Sequence, residues 1–163
     1  MREKWHWMAG IIFFLLTIHP NTFFAENRSL QDLVDQTPAH GTLLLQNKTY
    51  SGNVTISKPI AIKGAGKTNI KGDGTGNVIL IQKPAIGTRL ENLRISHSSK
   101  SRNSVEEYSA IKVLSDRNVL KNLTISDSFH GIYFSSSNEN DLSKVCITGM
   151  GGGKSPVKGT VSN

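Results

Sequence analysis

Arg89-Leu-Glu-Asn-Leu-Arg-Ile-Ser96 returns as Val119-Leu-Lys-Asn-Leu-Thr-Ile-Ser126, and again as Asp141-Leu-Ser-Lys-Val-Cys-Ile-Thr148. A second phrase, Ala110-Ile-Lys-Val113, follows the first copy and reappears after the second as Gly131-Ile-Tyr-Phe134. The spacing decides the fold. Leu120 precedes Leu142 by 22 residues and Ile111 precedes Ile132 by 21, whereas Leu90 and Leu120 lie 30 apart. A repeat of this length with one insertion marks an architecture in which each unit buries its apolar face only against its neighbours.

Within each copy the pattern is that of a strand. Leu93 and Ile95 flank Arg94, Leu123 and Ile125 flank Thr124, and Val145 and Ile147 flank Cys146. Period-two alternation of this kind buries one face. The alternation breaks at Asn92 and Asn122, which predicts a bend where one Asn stacks on the next in an internal ladder, amide to amide. Short apolar runs at 43–45, 54–56, 60–62 and 78–81 are separated by Gly, Asn, Ser and Thr, so each is too brief for a helix. Parallel stacking at about 4.8 Å per strand then gives an all-β fold. The expected form is a right-handed parallel β-helix, a single-stranded solenoid of pectin-lyase-like type. The rival is a leucine-rich repeat, which wants Asn or Cys three residues after the Ile, where Ser98 and Ser128 stand.

Residues 29–36 place Leu30, Leu33 and Val34 on one helical face, with Ser29 as N-cap and Pro38 beyond the end. This predicts a short N-terminal capping helix over the first strand unit. Residues 97–108 form the polar insertion and residues 149–158 a second, glycine-rich loop. The third copy of the Gly-Ile-Tyr-Phe strand is missing before Asn163, from which a C-terminally truncated product is expected.

The first 25 residues are set apart. Arg2 and Lys4 precede an uncharged, mostly apolar run from Met8 to Ile18, and Ala25 offers a small residue for cleavage. A signal peptide over 1–25 and an exported, periplasmic domain over 26–163 are expected. That domain has 138 residues, 17 basic and 11 acidic, for a net charge of +6. Such a balance suits acidic polysaccharide or lipid headgroups, and export disfavours nucleic acid. A single cysteine allows no internal disulfide.

Several phrases resemble NosD-type proteins. Gly41-Thr-Leu-Leu-Leu45, Thr49 to Gly64, Ile70 to Ile81, Leu90 to Ile95, Ala110 to Val113 and Phe129 to Phe134 keep that family's order. The resemblance runs from about residue 30 to the last residue and covers the family's front part. It implies an exported right-handed β-helix that assists assembly of the copper centre of nitrous oxide reductase. It implies as partners a membrane ABC transporter and a copper chaperone, and no catalysis by the chain itself.

Copper(I) favours thiolate, thioether and imidazole ligands. His97, His130, Cys146 and Met150 are the candidate metal residues, with His40 as a further imidazole. His97 and Asp127 each lie two residues after an aligned Ile, so they are expected to stack at one corner, with His130 closing the same turn. Gly64-Ala-Gly-Lys-Thr68 resembles a phosphate loop, but Ala61 stands where the first Gly is needed and no helix follows. No nucleotide is expected. Asp73, Glu91, Asp116, Asp127 and Asp141 show no pairing at related strand positions, which argues against glycoside cleavage by paired acids. The alternative function is an exported β-helix that binds or processes polysaccharide, using surface Tyr50, Tyr108 and Tyr133. Asn27, Asn47, Asn53 and Asn122 begin glycosylation triplets, which matter only in a eukaryotic secretory pathway.

Overall fold

The computed structural model describes residues 28–101, 106–148 and, as backbone, 154–161. The expected signal peptide lies outside the described residues. Among the described residues α1 (Leu30–Gln36) comes first and only strands follow: β1 (Thr42–Leu45), β2 (Thr49–Ser51), β3 (Val54–Ile56), β4 (Ala61–Gly64), β5 (Asn69–Lys71) and β6 (Ile79–Ile81). Then follow β7 (Arg89–Ser96), β8 (Ser109–Val113), β9 (Val119–Ser126), β10 (His130–Phe134), β11 (Asn140–Thr148) and β12 (Lys154–Val161). The described residues form an all-β fold of mainly parallel sheets with one short helix.

Two sheets form. The larger runs β1-β4-β7-β9-β11-β12, with β2 and β5 joining it beside the second half of β7. The smaller runs β10-β8-β6-β3. Among β7, β9 and β11, and between β8 and β10, each parallel partner is the next copy of the same phrase. Leu90 pairs with Leu120 and Leu120 with Leu142, while Ile95 pairs with Ile125 and Ile125 with Ile147. Ile111 pairs with Ile132 across β8 and β10. The repeat read from the sequence is therefore the register of the sheets.

Apolar columns result. Leu43, Ile62, Leu90, Leu120 and Leu142 form one; Tyr50, Ile70, Ile95, Ile125 and Ile147 form another. Ile62, Ile70, Leu90, Ile95, Leu120 and Ile125 are fully buried. Stacking like on like matches the width of neighbouring side chains, which favours close packing. The bend residues Asn92, Asn122 and Lys144 all have positive φ, of 58°, 52° and 54°. Asn adopts this region more readily than most residues. Asn122 Nδ2 donates to Asn92 Oδ1 at 2.8 Å. That ladder is exposed, not internal, because the left-handed backbone turns the side chain outward.

The internal ladder is a different one. Asn118 and Asn140, both fully buried, sit just before β9 and at the start of β11. Asn118 Oδ1 accepts the Thr88 backbone N–H at 2.9 Å, and Asn140 Oδ1 accepts from both N and Nδ2 of Asn118. Asn118 Nδ2 also donates to the Ser115 carbonyl at 2.7 Å. The corner backbone thus finds its partners inside, where water cannot supply them.

The N-terminal helix forms as expected. Ser29 and Asp32 make a capping box, and Leu30 and Val34 are buried against the first strands. At the other end the loop expected over 149–158 is corrected in its second part. Residues 154–161 form β12, antiparallel to β11, so the last strand of the larger sheet gains a partner that the repeat did not predict.

Candidate functional site

The chemistry-bearing side chains gather at the corner that follows β7 and β9. His97 and Asp127 both take left-handed backbone there, with φ of 71° and 50°. The His97 N–H donates to the Asp127 carbonyl at 3.1 Å, and His97 Nδ1 lies 2.8 Å from Asp127 Oδ2. The expected stacking of these two is realised, because each follows an aligned Ile by two residues. Lys100, from the insertion, places Nζ 2.7 Å from the other Asp127 oxygen. The Lys100 ammonium, and then the His97 ring, hold the Asp127 carboxyl below its ordinary range.

His130 takes a different partner. Its Nε2 lies 3.0 Å from Glu107 Oε2, and its ring meets Phe129 edge-on at 4.5 Å between centroids. The expected convergence of His97, Asp127 and His130 therefore resolves into two separate pairs. The reason lies in the insertion, whose end carries Glu107 to His130, a contact that no repeat spacing encodes. Cys146 is half-buried in β11, in register with Thr124. Met150 lies outside the described residues, and His40 sits in the loop before β1, where its N–H donates to Pro59. Among the described residues no three His, Cys, Asp or Glu side chains are placed to hold a metal ion together.

The glycine-rich turn 72–76 is part of this corner, a role its composition did not reveal. A Cβ on Gly72 would come within 2.6 Å of the His97 carbonyl oxygen, and one on Gly74 within 3.3 Å of His97 Nε2. Asp73 accepts from Thr75 N–H and Oγ1 at 2.8 and 2.7 Å and from Asn53 Nδ2 at 2.7 Å. The Thr75 bonds above all hold its carboxyl low.

Two of the remaining acids, Glu91 and Asp116, have structural partners. Glu91 is raised by burial, but the Arg89 hydrogen bond and the charges of Lys63, Arg89 and Lys121 outweigh this and hold it low. Asp116 Oδ1 accepts the Asn138 N–H at 2.7 Å. Thr68 of the phosphate-loop-like turn is fully buried, and its Oγ1 bridges the Ala65 N–H and the Gln46 carbonyl. Tyr50, expected on the surface, is 7% exposed, and its hydroxyl accepts the Gln46 N–H at 3.1 Å. Alternation in β2 sends Thr49 and Ser51 outward and Tyr50 in. Tyr133 is half-buried and Lys112 Nζ lies 5.6 Å from its ring centre.

No protein-family model, no curated protein and no solved structure matches this chain.

Proposed function

We propose that the chain winds as a right-handed parallel β-helix, a single-stranded solenoid of pectin-lyase-like type. We propose that it serves as an exported, periplasmic accessory protein in the manner of NosD-type proteins. Its part in copper-centre assembly of nitrous oxide reductase is that of a platform, not a catalyst. Copper is then the cargo of the assembly, delivered with a copper chaperone and a membrane ABC transporter. The handedness follows from the rule that parallel crossovers are right-handed.

One observation carries this reading: the phrases that resemble the family are register partners, Leu90 on Leu120 and Ile111 on Ile132. The resemblance therefore rests on the residues that build the stack. The corner insertion adds a recognition surface whose two imidazoles are each oriented by a carboxylate.

The test is complementation. A nitrous-oxide-reducing host lacking its own NosD-type protein is supplied with the full chain, and the copper content of its reductase is measured. Restored copper loading supports the reading. Apo-reductase beside an exported, folded chain overturns it. Copper(I) titration of the purified chain and of its H97A/H130A variant reports separately on a resident ion. Stoichiometric uptake that is lost in the variant supports the expected metal site, and unchanged uptake in the variant ends it.

A further inference from the structure

The outward face of the larger sheet holds an open groove of about 540 Å³, lined by Thr49, Lys67, Asn69, Arg94, Ser96, Thr124 and Ser126. Its floor is built by register. Asn69, Arg94 and Thr124 are stacked partners in β5, β7 and β9, and Ser96 stacks on Ser126. The alternation that buries Ile70, Ile95 and Ile125 turns these polar neighbours outward together.

Two features set this lining apart. It contains two cations and no carboxylate, and neither Lys67 nor Arg94 has an ion-pair partner among the described residues. Elsewhere Arg89 and Lys63 meet Glu91, and Lys100 meets Asp127. The hydroxyl and amide side chains of the lining likewise make no hydrogen bond within the described protein. A row of uncommitted donors and acceptors beside two free cations matches a ligand rich in hydroxyls and carrying negative charge.

The geometry points to a binding site for an acidic polysaccharide, lying across the strands of the larger sheet. Arg94 and Lys67 take its carboxylate or sulfate groups, while Thr49, Asn69, Ser96, Thr124 and Ser126 bond its hydroxyls. Among the described residues no aromatic ring lines the groove, so they offer no stacking platform of the kind used in single-strand nucleic acid binding. The absence of apolar side chains from the lining disfavours an acyl chain. This inference does not depend on the copper-assembly reading.

The test uses the full chain with polygalacturonate, dextran sulfate, uncharged dextran and a single-stranded oligonucleotide as probes, followed by calorimetry at two salt concentrations. Binding of either acidic polysaccharide, weakened by salt and absent for dextran, is expected. K67Q/R94Q should lose roughly tenfold or more in affinity. T124E, which places a carboxylate on the groove floor, should do the same. K83Q/R117Q removes the same charge from corner loops and should leave affinity unchanged, with far-ultraviolet spectra checking that each variant is folded. The proposal is overturned if neither acidic polysaccharide binds. It is equally overturned if K83Q/R117Q weakens binding as much as K67Q/R94Q, or if the oligonucleotide binds as tightly as the polysaccharides.

Discussion

The side-chain amide of Gln31 completes the edge of the smaller sheet at Thr55. Its Nε2 donates to the Thr55 carbonyl at 3.0 Å and its Oε1 accepts the Thr55 N–H at 2.8 Å. One glutamine thereby stands in for the strand that would precede β3. The helix protects this sheet edge with both apolar burial and a backbone-like pair of bonds.

Replacing Gln31 with Ala should therefore destabilise the protein by about 1–3 kcal/mol, since both Thr55 groups lose their partners. Gln31 lies partly exposed, so water recovers some of this and the lower half of the range is expected. Chemical denaturation of Q31A against Q36A checks it. Equal midpoints for the two variants would refute the edge-completing role.

The two asparagine ladders should respond very differently. Asn118→Ala removes the buried acceptor of the Thr88 N–H, the donor to the Ser115 carbonyl and one of the two donors to Asn140 Oδ1, with an expected cost of about 2–3 kcal/mol. Asn122→Ala removes one exposed bond and a residue suited to left-handed backbone, for about 1 kcal/mol. Thermal denaturation of the two variants side by side measures the difference. A larger loss in N122A would reverse the assignment of the buried ladder.

Gly64 has no room for a side chain. A Cβ there would lie 2.3 Å from the Asn92 carbonyl oxygen and 2.8 Å from Thr68 Cβ. Gly64→Ala should cost about 1–3 kcal/mol by overpacking. Its readout is the unfolding midpoint. An unchanged midpoint would mean that β4 and β7 can separate at this point without penalty.

The corner carboxylate sets a pH dependence. Asp127 is lowered by Lys100 and His97 in the folded chain. A depressed folded value gives stability that is present above the ordinary carboxylate range and is lost as pH falls through the folded value. With an exposed pair the effect is under about 1 kcal/mol. Unfolding followed from pH 7 downward should show a shallower acid loss in D127N than in the parent chain. Parallel curves would exclude the pair as a contributor.

Legibility varied with the range of the contact. The apolar columns were readable because Leu90, Leu120 and Leu142 recur at a period that is itself the stacking register. The buried Asn118–Asn140 pair was within reach of the same logic, since Thr88, Asn118 and Asn140 each stand two residues before an aligned Leu. The His97–Asp127 pair followed from that offset as well. The His130–Glu107 pair did not, because Glu107 belongs to an insertion without a counterpart in other repeats.

Strand-forming phrases, their period, the capping helix and the inward or outward sense of each side chain are local properties. Alternation and turn formers encode them along the chain. The partner of His130, the antiparallel β12 and the gathering of Lys67 and Arg94 in one groove arise otherwise. They depend on where loops of unequal length return in space, and a linear period carries no record of that.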